Sequence, residues 1–264
     1  MALYEKARAI EPHNPAYVLA SAEILADMGK PQEALDLIES KMDQLDQAPG
    51  MHKAAAELAM LVGRADKAVE HYEIARSQQG DDVTIQESLG RAYFFAAQYD
   101  KAVLTLADLL KQDHYARCTW VYSMLGESYL ALGRPREARD NFEKTTELEK
   151  NEPRNWVNLA KAALAAKDTR RAVVAAKEAI SLRPDQPESA MLLGYALMAE
   201  GDAKSANSVL STAVRTNPDQ AMLTCLLGCS YAVLGDQNLA REWYQKTLKL
   251  DPQNQIAQAM LKRP

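Results

Sequence analysis

The segment LGESYLALGRPREA, from Leu125 to Ala138, ends in an alanine that recurs along the chain at a nearly constant interval. The equivalent residues are Ala34, Ala68, Ala102, Ala138, Ala172, Ala206 and Ala240. Five of the six steps between them are 34 residues long, and the remaining step is 36. A period of this length indicates an array of identical supersecondary units, each too small to bury its own apolar face.

Other columns of similar residues stay in register with this alanine, which we number as position 20 of a 34-residue block. Position 8 is always alanine or glycine, and position 7 is mostly leucine. Apolar residues at positions 4, 7, 8 and 11, and again at 20, 24 and 27, have the three- and four-residue spacing of two helical stripes. Position 15, between the stripes, is glycine in five of the seven blocks, which suits a left-handed helix end. Ala97 and Lys167 replace that glycine, and we expect either strain or another turn geometry there.

The period and the columns resemble the tetratricopeptide repeat (TPR), whose pattern runs Trp, Leu-Gly, Tyr, Ala, Phe, Pro across 34 residues. The segment from Leu125 to Ala138 is close to the core of that pattern, and Trp156 stands at its position 4. The resemblance covers essentially the whole chain. It implies an all-α fold, a right-handed α-solenoid superhelix of seven TPR helix pairs with partial repeats at both ends.

The alanine register predicts where each repeat begins and ends. The predicted segments are a second helix of a partial repeat at 1–14, repeats at 15–48, 49–82 and 83–116, an insertion at 117–118, repeats at 119–152, 153–186, 187–220 and 221–254, and the start of a C-terminal helix at 255–264. Terminal repeats normally carry polar caps. The missing first helix before residue 1 therefore suggests a fragment of a longer chain, or an open end that pairs with a second copy.

Composition and charge exclude several classes of protein. The 264 residues carry a net charge of −5, so the chain as a whole does not match the basic surface that nucleic acid requires. The apolar run from Met191 to Ala199 is far shorter than the roughly 20 residues of a membrane-spanning helix, so we expect no direct membrane insertion. No secretory signal opens the chain, which favours a cytoplasmic location.

The sequence contains no motif that points to catalysis. It has no glycine-rich phosphate loop with a lysine, no nucleophile elbow and no helix with paired metal-binding histidines. We therefore expect that the chain is not an enzyme and needs no cofactor. Cys225 and Cys229 share one helix face, but a structural zinc site needs four ligands, so no metal site is predicted.

The resemblance implies that the first helix of each pair lines a concave groove. The candidate protein-binding residues at those positions are Glu87, Arg91, Phe94, Phe95, Trp120, Met124, Glu127, Arg154, Asn158, Lys161, Met191, Tyr195, Met198, Cys225 and Cys229. The middle of this set is charged and aromatic, and its C-terminal part is apolar and rich in methionine. Such a surface suits an extended or helical peptide with apolar anchors. The alternative is that these side chains pack against the neighbouring helix.

The expected function is a non-catalytic scaffold that binds a peptide or protein segment in this groove. The alternatives are a targeting or regulatory arm of a larger enzyme or membrane-anchored assembly, and a homo-oligomeric scaffold joined through exposed terminal repeats. A clamp for the C-terminal carboxylate of chaperones is disfavoured, because Ser123 and Glu127 stand where such clamps carry lysine and asparagine. The asparagine ladder of sugar-transferase superhelices is also disfavoured, because its column holds asparagine only at Asn158.

Overall fold

The computed structural model describes residues 14–45, 47–48, 50–80 and 82–262. Residues 1–13 of the partial repeat predicted at 1–14 therefore lie outside the described residues. Within the described ranges the chain forms sixteen α-helices and no β-strand, which confirms the all-α prediction. The helices are α1 (Pro15–Asp27), α2 (Pro31–Glu39), α3 (Met42–Leu45), α4 (Met51–Leu61), α5 (Ala65–Gln79), α6 (Val83–Phe95), α7 (Tyr99–Leu109), α8 (Thr119–Ala131), α9 (Pro135–Leu148), α10 (Pro153–Ala165), α11 (Thr169–Leu182), α12 (Pro187–Ala199), α13 (Ala203–Thr216), α14 (Ala221–Val233), α15 (Gln237–Leu250) and α16 (Gln255–Leu261).

The contacts between helices divide the chain into two compact units, residues 1–132 and residues 133–264. In the first unit, α4 packs on α5, α5 on α6, and α6 on α7. In the second unit, each helix from α9 to α16 packs on the next one along the chain. Contacts also join α10 to α12 and α12 to α14, so the first helices of successive pairs lie side by side. Packing of this near-neighbour kind is typical of a repeat array.

The recurring alanines occupy the crowded positions that the register predicts. All seven position-20 residues, from Ala34 to Ala240, have 0% of their surface exposed. Position 8 is equally tight, since a Cβ atom built on Gly194 would lie 2.7 Å from Cδ2 of Leu210. A Cβ atom on Gly228 would lie 2.8 Å from the Tyr244 ring. Small residues at positions 8 and 20 therefore permit the close approach of the two helices in a pair.

Two parts of the first unit depart from the regular repeat. Helix α2 begins at Pro31 and already ends at Glu39. The hydroxyl of Ser40 donates to the carbonyl of Leu37 at this end, and the short helix α3 follows. The link from α7 to α8, which contains the predicted insertion, is irregular. It buries Tyr115, which is 8% exposed, beside the helices that it joins.

The turn between the two helices of a pair uses a residue with a left-handed backbone. The five position-15 glycines all have positive φ, and Ala97 and Lys167 keep the same conformation, with φ of 55° and 61°. At the second of these turns, the amide of Asp168 donates to the carbonyl of Ala163 at 2.8 Å. The turn therefore keeps its hydrogen bonds without glycine. Ala97 and Lys167, which carry a Cβ atom, adopt a left-handed backbone that is strained for such residues.

We expect Lys167→Gly to raise the free energy of unfolding by about 0.5–1 kcal/mol. The left-handed conformation costs a residue with a Cβ atom about 1–2 kcal/mol, and the greater freedom of glycine in the unfolded chain offsets about 0.4–1 kcal/mol of that gain. Urea unfolding followed by circular dichroism measures the change. Gly201→Ala, at a turn with φ of 87°, is the matched control and should shift the midpoint in the opposite direction. A lower midpoint for Lys167→Gly would contradict the strain at this turn.

Candidate functional site

In the second unit, the first helices α10, α12 and α14 carry most of the predicted groove residues. Arg154, Asn158 and Lys161 lie on α10, and the spacing of three and four residues places them on one helix face. The structure brings these three side chains together in the lining of one pocket of about 350 Å³, which we call the polar pocket. The polar pocket is also lined by Glu152, Pro153, Val157, Arg183, Gln186 and Glu188.

The charges of the polar pocket are only partly paired. The ammonium group of Lys161 lies 2.6 Å from the carboxylate of Glu188. The carboxylate of Glu152 accepts a hydrogen bond from the backbone amide of Arg154 and so caps α10. Within the described part of the chain, the guanidinium groups of Arg154 and Arg183 form no ion pair, and both residues are exposed. Two arginines thus remain available to an anionic group, which guanidinium binds well.

Sequence reasoning missed the part of the polar pocket that comes from the link between repeats. Arg183 follows the last residue of α11, and Gln186 is the residue before α12. The repeat pattern indicates groove positions only within the first helices, and these two residues lie outside those helices. Their place in the short link between α11 and α12, where two repeats join, is the signal that could have indicated them.

The second unit also has an apolar surface, which lies on α12 and α14. These two helices contact each other. Tyr195 is 55% exposed and Met222 is 44% exposed, so both present apolar surface to solvent. Met191 and Met198 on α12 are partly buried. Exposed aromatic and methionine side chains are typical anchors for a protein partner.

The two cysteines of α14 differ in exposure. Cys229 is partly buried, whereas Cys225 has no exposed surface and its Sγ atom lies 3.7 Å from Oδ1 of Asn254. A hydrogen bond between the two thiols raises the pKa of Cys225 and lowers the pKa of Cys229. Because Cys225 lies in the core beneath α16, we remove it from the candidate surface.

In the first unit, four side chains form a cluster on α6, α8 and the link before α8. The guanidinium of Arg91 lies 2.9 Å from the carboxylate of Glu87, and its Cζ atom lies 4.0 Å from the ring centre of Trp120. The hydroxyl of Tyr115 donates to the same Glu87 at 2.6 Å, and this bond raises the pKa of Tyr115 to about 12. Arg91 is thus held between an anion and an aromatic ring.

The remaining predicted residues of the first unit lie on α6 and α8. Phe94 and Phe95 meet edge to face, with ring centres 5.3 Å apart, and Phe94 also contacts Tyr99. Phe95 is 59% exposed and lines a cavity of about 490 Å³ beside the turn at 63–67. Met124 packs on the core, and Glu127 is partly exposed.

Comparison with known proteins indicates the family to which the chain is similar. Residues 122–251, close to half of the chain, match the model of the cilia and flagella-associated protein 70 middle TPR-like domain. The chain is a tetratricopeptide-repeat protein. No curated protein is a significant match to it.

Solved TPR structures share the fold. The C-terminal part of a TPR protein from Cytophaga hutchinsonii is 17% identical, with a TM-score of 0.72 over 93% of this chain and 100% of that one. YrrB, described as a TPR protein with an unusual peptide-binding site, is 19% identical, with a TM-score of 0.61 over 74% of this chain and 100% of that one. A chain of the Cut9–Hcn1 hetero-tetramer of the APC/C is 16% identical, with a TM-score of 0.54 over 99% of this chain and 51% of that one. At these identities the likeness establishes the fold alone.

Helix length and the grouping of possible ligands bear on membrane and metal binding. Every helix in the described residues is too short or too polar to cross a lipid bilayer. Across the same residues, no three or more histidine, cysteine, aspartate or glutamate side chains are grouped so that they could hold a metal ion.

Proposed function

We propose that this TPR protein is a non-catalytic scaffold that binds a segment of a partner protein along α10, α12 and α14. The observation that carries the proposal is the polar pocket with two unpaired arginines on the same unit as exposed Tyr195 and Met222. Similar folds support it, since YrrB is described as having a peptide-binding site and Cut9–Hcn1 is a hetero-tetramer.

The two parts of the surface suit two features of one partner segment. An acidic side chain or a terminal carboxylate enters the polar pocket and pairs with Arg154 and Arg183. An apolar side chain of the same segment packs on Tyr195 and Met222. The Asn158 amide offers both a donor and an acceptor to the backbone of the segment.

The first unit contributes a second candidate contact. Glu87, Arg91 and Trp120 form a partly exposed charged and aromatic cluster, and arginine and tryptophan are enriched among residues that dominate binding energy. We propose that this cluster is a separate protein contact of the first unit.

We expect Arg154→Glu and Tyr195→Ala each to weaken partner binding by about tenfold or more, the size of effect that dominant interface residues show. Arg154→Glu places a carboxylate where the anionic group of the partner binds, so the two repel each other. Tyr195→Ala removes the aromatic side chain on which an apolar side chain of the partner packs. Proteins captured by the wild type from its native extract are identified, and their affinity is then measured with purified partner by calorimetry.

Lys177→Glu is the matched control, because Lys177 is exposed on α11, a second helix of its pair. It changes the net charge as Arg154→Glu does and should leave affinity unchanged. Circular dichroism and melting should be the same for all variants. Unchanged binding by both surface variants would contradict the proposed surface.

A further inference from the structure

A cavity of about 400 Å³ in the second unit is lined by residues of α13, α14 and α15. Val214 and Leu227 are almost fully buried, at 4% and 1% exposed, so they form its floor. Trp243 of α15, which is partly buried, also lines the cavity. The cavity thus offers aliphatic and aromatic surface to a ligand, in the range of volume that binding pockets have.

The cavity is separate from the surface on α10, α12 and α14. On α14, Leu227 follows Met222 by five residues, so their side chains point about 140° apart around the helix axis. Met222 belongs to the apolar surface described above, and Leu227 therefore faces another side of the same helix. The other residues that line the cavity lie on α13 and α15, which are second helices of their pairs.

A stripe of polar side chains on α13 forms one side of the cavity. It consists of Ser208, Ser211, Thr212 and Arg215, whose spacing of three and four residues places them on one helix face. The guanidinium of Arg215 donates to the hydroxyl of Thr212 at 3.2 Å, and this bond holds it beside the cavity. Among the described residues, the hydroxyls of Ser208 and Ser211 have no hydrogen-bond partner, so both can bind polar atoms of a ligand.

The charges around the cavity are positive. No acidic side chain among the described residues lines it, and within the same residues Arg215 forms no ion pair. The ammonium group of Lys246 lies 4.6 Å from the centre of the Trp243 ring and adds a second positive charge. In a chain with a net charge of −5, α13 and α15 carry one acidic residue, Glu242, and five basic ones, Lys204, Arg215, Arg241, Lys246 and Lys249. This charge favours an anionic ligand.

We propose that this cavity binds an acidic segment of a further partner protein. The segment inserts one large apolar side chain against Leu227 and Trp243, and it places a carboxylate on Arg215. The serine hydroxyls bind its backbone. Charge complementarity selects an acidic segment over a basic one. Because the cavity lies apart from α10 and α12, the second unit holds this segment in addition to the one proposed above.

The test selects short random peptides, displayed on phage, on the full chain, with counter-selection on Ser208→Trp. Ser208 is exposed at the cavity, so a tryptophan there fills the cavity from the solvent side. Counter-selection therefore removes peptides that bind elsewhere on the protein. We expect the remaining peptides to carry a leucine or an aromatic residue a few positions from aspartate or glutamate.

The affinity of these peptides is then measured by fluorescence anisotropy. Arg215→Glu should weaken binding by at least about tenfold, the effect of losing a dominant interface residue. Lys177→Glu, the matched control, makes the same charge change on α11 and should bind as the wild type does. Arg154→Glu, in the polar pocket, should also leave this affinity unchanged. Circular dichroism checks the fold, and if Ser208→Trp does not fold, Arg215→Glu replaces it in the counter-selection.

Several results would overturn the proposal. They are the absence of any enriched peptide, enriched peptides without acidic residues, and equal affinity of folded Arg215→Glu and wild type. Loss of binding in Arg154→Glu would also overturn it, because the peptides would then occupy the polar pocket, as the function proposed above expects. Binding of phosphatidylserine vesicles that Arg215→Glu abolishes, without any enriched peptide, would assign the cavity to a membrane surface instead.

Discussion

Phe142→Ala is expected to lower the free energy of unfolding of the second unit by about 3–5 kcal/mol, the range for removing a buried aromatic side chain. Phe142 has 0% of its surface exposed and is the largest fully buried side chain of the described residues. It stands at position 24, on the same helix as Ala138. Its removal leaves a cavity that α9 cannot close freely, because α9 also packs along α10. Urea unfolding measured by circular dichroism gives the change.

Two further variants test whether volume is the cause. Phe142→Leu keeps most of the buried volume and should lower the free energy of unfolding by clearly less, about 1.5 kcal/mol. Val174→Ala removes a side chain that is 47% exposed and should change stability by no more than about 0.5 kcal/mol. An effect of Phe142→Ala as small as that of Val174→Ala would contradict the packing at position 24.

Gly194→Val is expected to lower the free energy of unfolding by about 1–3 kcal/mol, or somewhat more, because it overpacks a filled contact. A Cβ atom at Gly194 already lies within 2.9 Å of three carbon atoms of the Leu210 side chain, and valine adds two methyl groups there. The two helices must then move apart. Since Tyr195 follows directly on α12, we also expect the partner-binding surface to shift.

Ala199→Val is the matched control, because it puts the same side chain at an exposed position of the same helix. It should lower the free energy of unfolding by about 0.5 kcal/mol, because valine has a lower helix propensity than alanine. Thermal melting and urea midpoints of the two variants provide the comparison. Equal midpoints would show that the α12–α13 contact can adapt to the larger side chain.

The fold could be predicted from the sequence because its packing is local and repeated. The position-20 alanines sit at equivalent helix crossings, so a single register predicted all seven buried positions. Six of the seven predicted pairs contain two helices, and the first, at 15–48, contains α3 as a third. The sequence predicted an insertion before α8, but neither the short helix α3 nor the contacts of that link. Both depend on contacts specific to one place, such as the hydrogen bond from Tyr115 to Glu87, rather than on the repeated columns.

The candidate site could be predicted where a single helix forms it. Spacing alone placed Arg154, Asn158 and Lys161 on one face, and all three line the polar pocket. The spacing could not predict which groove positions the next repeat buries. Cys225 occupies a groove position, but α16 and its cap residue Asn254 cover it. The spacing of a helix shows which residues share a face, whereas the neighbouring element decides which of them stay open.

The caps that precede α12 and α14 bear on how such a chain changes length during evolution. Gln186 precedes Pro187 with φ and ψ of −84° and 110°, and Gln220 precedes Ala221 with −86° and 99°. Excision of residues 187–220 would put one glutamine in the place of another with nearly the same backbone. Duplication or loss of this module in the gene would therefore leave an undamaged backbone junction. Its loss would also take Glu188 out of the polar pocket in the same genetic step.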